Sequence, residues 1–279
     1  MNETKTCMVT GANSGVGLVS ARELAKQGWS VLMVCRDRAR GEEALASVRA
    51  AASGPAPELL LADFASLAEV RRLASEVSGR RIDVLMNNAG LMLTERRATR
   101  DGFETTFGVN HLAPFLLTNL LLDGLRANAP SRIVNVSSRA HTRSTLDFDD
   151  LNAEKNFDGW QAYCRSKLCN VLFTQELARR LEGSGVTVNA LHPGMVATGF
   201  GRETSGLWGA LLKIGRFVMT TPEQGARTQV WLATSPEVAG VSGRYFIDCK
   251  PVATSRAGAD PVAAARLWET SARMVGLAA

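Results

Sequence analysis

Short apolar runs alternate along the chain with longer stretches in which apolar positions recur every three or four residues. The short runs predict strands at 6–10, 30–34, 58–61, 82–86, 133–136, 186–191 and 244–247. The periodic stretches predict helices between them. The first follows residues 11–17 and runs to about residue 27, with Gly28 as the glycine just past its end. The second, 39–52, stops at Ser53-Gly54-Pro55. A third begins near Ser66, whose hydroxyl and Glu69 have the spacing of a capping box. Helices follow at 103–126, halted by Asn128-Ala129-Pro130, then at 160–182 and 222–234. Leu267, Trp268, Met274 and Val275 share one face of a last helix at 261–275.

Strands that are apolar almost throughout, each bounded by helices, predict a parallel sheet covered on both faces. With right-handed crossovers the simplest topology is an α/β fold, a single doubly wound Rossmann-like domain. Its sheet would be mostly parallel and seven-stranded, with helices on both faces. No repeat or linker divides it, so residues 1–279 are expected to form one domain. Two segments break the alternation. Residues 139–159 form a long polar connection, and residues 199–221 are glycine-rich with apolar side chains, including Phe200, Trp208 and Phe217. Long irregular segments of this kind are usually functional loops. The second is read as a substrate lid; a surface excursion and a membrane-touching flap are the alternatives.

Composition narrows the function. The hydrophobic content of 46% with 21% charged residues is that of a globular chain with a sizeable core. The net charge of +5 comes from scattered basic residues, without a basic run or aromatic platform, so no nucleic-acid partner is expected. Five cysteines and three histidines show no metal-ligand spacing; no metal site and a reducing, cytoplasmic setting are expected. The first strand begins by Thr6 and no apolar run is long enough to span a bilayer, so neither a signal peptide nor a stable membrane anchor is expected.

Two patterns carry chemistry. Gly11-x-x-x-Gly15-x-Gly17 stands between a strand and a helix, where a pyrophosphate would meet helix N-terminal amides. Glycines that merely make a tight turn are the alternative, because the spacing is not Gly-x-Gly-x-x-Gly. Tyr163 and Lys167 stand four apart on a predicted helix, one above the other. The ammonium could favour the ionised phenol and tune it for proton exchange with a carbonyl or alcohol.

With these motifs in place, the chain resembles the short-chain dehydrogenase/reductase family over about residues 5–250. Residues 10–17 read as that family's cofactor loop, Asn87-Asn88-Ala89-Gly90 as its second signature, and Asn110, Ser138, Tyr163 and Lys167 as its catalytic tetrad. Pro193-Gly194 with Thr198 looks like the nicotinamide-side loop. Within the family the likeness is to the retinol-dehydrogenase-like branch. It is carried by Cys35-Arg36-Asp37, Arg40-Gly41-Glu42, Asn110-His111-Leu112, residues 136–141, residues 245–249 and the 25-residue step from Ser138 to Tyr163. Vertebrate members of that branch often carry an N-terminal anchor that is not expected here, so a retinoid substrate does not follow from the likeness.

The resemblance implies reversible hydride transfer between a nicotinamide and a carbonyl/alcohol pair. Tyr163 would be the general acid/base, and Lys167 would lower its pKa and hold ribose hydroxyls. Ser138 would hydrogen-bond the reacting oxygen, with Ser137 as the competing serine. Asn110 would hold a water in a proton relay. The cofactor-binding set would be Gly11, Asn13, Ser14, Gly15, Val16, Gly17, Arg36, Arg40, Asp63, Phe64, Asn87, Ala89, Gly90, Tyr163, Lys167, Pro193, Gly194, Val196 and Thr198. Asp63 would contact adenine, and Asn87 and Gly90 would let the backbone close on ribose, Asn87 being alternatively a structural turn residue. His141 and His192 are expected to support the site, and His111 to be packed. At the end of strand two an acid would select NAD. Here Cys35 is followed by Arg36, with Arg40 nearby, which favours NADP(H) over NAD(H). Asp37 and the non-basic Ser14 argue the other way.

The expected substrate is a small apolar aldehyde or ketone, or its alcohol. The alternatives are a tailoring ketoreductase of a polycyclic natural product and a non-catalytic dinucleotide-sensing or scaffold protein. Pairing through helices 103–126 and 160–182 into a homodimer or homotetramer is a further expectation of the likeness.

Overall fold

A computed structural model describes residues 4–194 and 220–277. Its strands are β1 (Thr6–Thr10), β2 (Ser30–Cys35), β3 (Glu58–Leu61), β4 (Val84–Asn87), β5 (Ser131–Val136), β6 (Val186–His192), β7 (Tyr245–Ile247) and β8 (Lys250–Val252). They form one sheet in the order β3-β2-β1-β4-β5-β6-β7-β8. All pairings are parallel except β7 with β8. The expectation of seven strands is therefore corrected to eight. The added strand closes a hairpin whose two turn residues, Asp248 and Cys249, both have positive φ (49° and 59°).

The helices are α1 (Gly15–Lys26), α2 (Arg38–Ala51), α3 (Leu67–Glu76), α4, α5 (Gly159–Arg180), α6 (Pro222–Thr234) and α7 (Pro261–Met274). α4 begins as Thr105–Phe107, widens into a π-helical turn at Gly108–Leu112 and continues as Ala113–Ala127. Residue parity on the strands explains the two layers. Cys7 and Val9 face α1, α2 and α6 with Val31, Met33 and Leu232, while Met8 faces the α3, α4, α5 and α7 side with Leu32, Leu85 and Phe115. The helix starts have local causes. Asp37 accepts from Arg40 N at 2.9 Å, Ser66 from Glu69 N at 3.4 Å and Asp158 from Gln161 N at 2.7 Å. Thr221 and Gln224 form a reciprocal capping box that starts α6.

The strand order reverses between β1 and β4, which opens a crevice at their carboxyl ends. The loops after β1, β4, β5 and β6 all reach that end of the sheet. Of the expected lid, residues 199–219 lie outside the described residues, as do Val196 and Thr198. Within 139–159, Arg139–Arg143 forms a 3-10 turn directly after Ser138.

Candidate active site

The loop from β1 to α1 is built to leave backbone bare. Gly11 and Gly15 have φ of +67° and +54°. A Cβ on Gly17 would stand 2.4 Å from both Asn88 Nδ2 and Gly11 O. Ser14 occupies the N-cap of α1 without a side-chain capping bond, so this N-terminus keeps its amides for another acceptor. Asn13 is half-buried beside Ser14, and Val16 is buried under α6 against Ala226.

Asn88 locks this loop to β4. Its Nδ2 donates to Thr10 O at 2.8 Å, its Oδ1 accepts from Gln229 Nε2 at 3.1 Å, and Ser20 Oγ donates to Gln229 Oε1 at 3.3 Å. Thr10 Oγ1 accepts from the backbone N–H of Asn88 and of Ala89, both at 3.0 Å. Sequence reasoning placed Thr10 in the cofactor loop without a role of its own, and it missed Ser20 and Gln229. A hydroxyl ending β1 directly before Gly11 was the only local signal for the first, and the other two meet only through tertiary structure.

The Asn87 side chain turns into the core, which leaves its backbone for the expected approach to ribose. Its Nδ2 donates to Asn135 Oδ1 at 2.8 Å and to Thr118 Oγ1 at 3.0 Å, and Asn135 Nδ2 donates onward to Thr174 Oγ1 at 2.9 Å. Its Nδ2 is thus committed to a buried cross-link of β4, β5, α4 and α5, while its buried Oδ1 has no hydrogen-bond partner among the described residues. Ala89 packs against the core, and Gly90 lies exposed at the rim.

The four residues of the expected tetrad converge. A Cβ on Gly90 would stand 3.3 Å from Asn110 Oδ1 and 3.4 Å from Lys167 Nζ. Asn110 sits in the π turn and clamps Leu91 on both sides, accepting from its N–H at 2.8 Å and donating to its carbonyl at 2.9 Å. Its Nδ2 also donates to Ser166 Oγ at 3.0 Å. Lys167 is 3% exposed and donates to Val136 O at 3.1 Å, with Nζ 5.5 Å from the Tyr163 ring centroid. Ser138 hydrogen-bonds the Tyr163 phenol. Ser137 is committed elsewhere, donating to Lys167 O at 2.7 Å, which leaves Ser138 as the serine beside the phenol.

Electrostatics depart from the simple pairing argument. Burial pushes the Tyr163 phenol up to about 12, against which the Ser138 hydrogen bond acts. Burial also pushes the Lys167 ammonium down to about 8. A lowered phenol is therefore not a property of the residues alone, because taking the anion out of water outweighs what favours it. His192 is pushed down to about 4 by burial and by Arg139, and the Tyr245 phenol is pushed up by burial.

At the end of β2, Asp37 caps α2, while the exposed side chains of Arg36 and Arg40 make no hydrogen bond or ion pair among the described residues. Asp63 Oδ1 accepts from Ala65 N at 3.0 Å, its Oδ2 lies 4.0 Å from Arg100, and Phe64 is buried beside it. Pro193 is half-buried, and Gly194 (φ +86°) would bring a Cβ to 2.8 Å from Thr220 Oγ1. Among the described residues no cluster of three metal-ligating side chains occurs, and no helix is long and apolar enough to cross a membrane.

The bare glycines, the uncapped α1 terminus and the unpaired arginines fit a phosphate-bearing dinucleotide. Comparison with known proteins agrees. The family model for short chain dehydrogenase matches residues 5–206. Human retinol dehydrogenase 14 is 49% identical over 293 residues, spanning 98% of this chain and 87% of that protein. Human retinol dehydrogenase 13 is 46% identical, spanning 99% and 86%. Among solved structures, an uncharacterised protein from Mycobacterium paratuberculosis superposes with a TM-score of 0.79 at 36% identity, covering 98% of this chain and 94% of that one. A proposed NAD(P)-dependent gluconate 5-dehydrogenase from Beutenbergia cavernae, with NADP bound at low occupancy, gives 0.71 at 27% identity, covering 88% and 94%.

Proposed function

We propose that this chain, which belongs to the short-chain dehydrogenase family, uses NADP(H) to interconvert a small apolar aldehyde or ketone and its alcohol. That it is a retinol-dehydrogenase-like oxidoreductase acting on a CH–OH/C=O pair follows from its relatives. The observation that carries the mechanism is the convergence of Ser138, Tyr163, Lys167 and Asn110 around Gly90 and Val136.

A bound nicotinamide supplies or accepts the hydride. Gly11, Asn13, Ser14, Gly15, Val16 and Gly17 would hold its pyrophosphate and Asp63 with Phe64 its adenine side, while Ala89, Gly90, Pro193 and Gly194 would leave backbone space. Arg36 and Arg40 would meet a 2′-phosphate. Tyr163 donates its phenolic proton to the carbonyl oxygen during reduction and takes it back during oxidation. Ser138, already bonded to that phenol, holds the reacting oxygen at the same point. Lys167 places a positive charge behind the ring, and Asn110 fixes the Leu91 backbone beside it. General acid catalysis of this kind is worth about 10²–10⁴-fold.

An exposed apolar side chain beside Tyr163 supports the substrate class. Trp160 is 50% exposed and its ring centroid stands 5.8 Å from that of Tyr163, one helical turn away. The five free cysteines support a reducing compartment such as the cytoplasm. A Tyr163→Phe variant should lose carbonyl reduction by at least about two orders of magnitude while still binding NADPH, measured by fluorescence titration. Wild-type turnover in that variant would sink the assignment.

A further inference from the structure

The chain after β8 reaches the surroundings of the site through two buried histidines. Ser255 donates its backbone N–H to His141 Nε2 at 3.3 Å, and Ser271 Oγ lies 2.8 Å from His111 Nε2. His141 stands three residues after Ser138, and His111 directly follows Asn110. We propose that this C-terminal tail, residues 254–277, is a positioning element for the acid–base group, acting on Ser138 through His141 and on Asn110 through His111. The proposal rests on the oxidoreductase reading above. It concerns a segment that lies beyond residues 5–206, the part matched by the family model.

The hydrogen-bond pattern fixes the state of His141. A backbone N–H can only donate, so Nε2 must be the accepting nitrogen. Nδ1 then carries the proton and donates to Ser138 O at 2.7 Å. The same carbonyl accepts from His141 N at 3.1 Å, so one peptide plane is held by two donors from one residue. Burial lowers the imidazole pKa, and the Tyr245 ring meets it edge-on with centroids 4.8 Å apart. Ser138 is thereby held at its carbonyl while its Oγ serves Ala140 N and Tyr163. Ser255 selects the tautomer and ring orientation that make this possible.

His111 does the corresponding work in α4. It is fully buried, its ring stacks on Phe107 at 5.5 Å, and burial pushes it down to about 4. It belongs to the π turn, whose wider hydrogen-bond register breaks the helical period at Asn110. Ser271, also fully buried, ties that turn to α7. Neither histidine needs to touch substrate for this role.

Three variants of the 279-residue chain test it, with kcat, KM for NADPH and thermal midpoint read for each. His141→Leu removes both bonds of the imidazole, whereas His141→Asn keeps a donor near the position of Nδ1. We expect kcat to fall on the order of tenfold in His141→Leu with KM for NADPH within about twofold, and most of kcat to return in His141→Asn. Ser271→Ala, a small change that keeps the fold, should lower kcat on the order of threefold with KM for NADPH unchanged. Wild-type kcat in His141→Leu, or equal losses in the leucine and asparagine variants, overturns the His141 arm. Wild-type kcat in Ser271→Ala overturns the His111 arm, and it can be read even if the leucine variant does not fold. An inactive Tyr163→Phe beside a fully active His141→Leu rejects the positioning role alone; an active Tyr163→Phe rejects the underlying reading.

Discussion

Lys167 and Arg36 are cations in opposite situations, and each yields a test. Lys167 is buried, and its pKa falls from 10.5 to about 8 because folding removes the ammonium from water. At about 1.4 kcal/mol per unit, that is an unfavourable contribution of roughly 3 kcal/mol. A depressed lysine opposes folding fully below about pH 8. The opposition fades as pH rises toward 10.5, where the unfolded chain binds a proton the folded chain does not. A Lys167→Met variant should therefore be more stable than wild type in urea at pH 7, by about 1–3 kcal/mol, and inactive. Val136 O keeps a partner in it, since Asn170 Nδ2 donates there at 3.2 Å. The stability gain should shrink above about pH 8; a gain that is constant with pH would mean packing rather than charge is responsible. Arg36 is exposed and unpaired, so Arg36→Ala should weaken NADPH by about tenfold or more and leave NADH within about twofold. Equal effects on both would remove the arginine from cofactor choice. At this scale residue identities were legible because spacing along a strand or helix is local. The direction of the Tyr163 shift was not, because burial is set by elements far away in sequence. The placement of Asn87 was equally hidden, since Asn135, Thr118 and Thr174 are its partners only in the folded chain.

Two helical glycines show how elements carry the site. A Cβ on Gly159, the first residue of α5, would stand 2.1 Å from Leu93 O, so α5 docks directly on the loop that Asn110 clamps at Leu91. Gly124, inside α4, meets nothing within 4 Å. Gly159→Ala should lower stability by about 1–3 kcal/mol and reduce kcat, as the helix bearing Tyr163 is pushed off its seat. Gly124→Ala should raise stability by about 0.5–1 kcal/mol without changing kcat. Chemical denaturation of the pair checks both signs, and equal effects would contradict the docking argument. Sequence periodicity placed nearly every helix and strand within two or three residues. It overlooked β8 because Lys250-Pro251-Val252 is exposed and short, and because its hairpin turn is Asp-Cys rather than the usual Asn-Gly. The π turn at Gly108–Leu112 was invisible for another reason: residues 108–118 are all buried, so the shift of register that the wider turn imposes moves no exposed face.

Across the whole molecule, the proposed cofactor spans both layers. The glycine loop belongs to the α1 side of the sheet, and Lys167 and Tyr163 stand on the α5 side, with the β1/β4 crevice between them. Asn88 and Gln229 join β4, β1 and α6 beneath that crevice, while Asn87, Asn135 and Thr174 join β4, β5 and α5 on the other side. A ligand seated there adds its binding energy to the folding of both layers at once, because the unfolded chain has no such crevice. At about 100 times its Kd, a ligand stabilises the folded state by about 2.7 kcal/mol. For a chain of this size each kcal/mol is worth about 2–4 °C, so saturating NADPH should raise the thermal midpoint by roughly 5–10 °C. NADH at the same concentration should give a clearly smaller rise if Arg36 and Arg40 recognise the 2′-phosphate. Differential scanning fluorimetry with the two cofactors measures this without any knowledge of the substrate. Equal shifts would show that the phosphate is not recognised, and no shift with either would remove the dinucleotide from the crevice altogether.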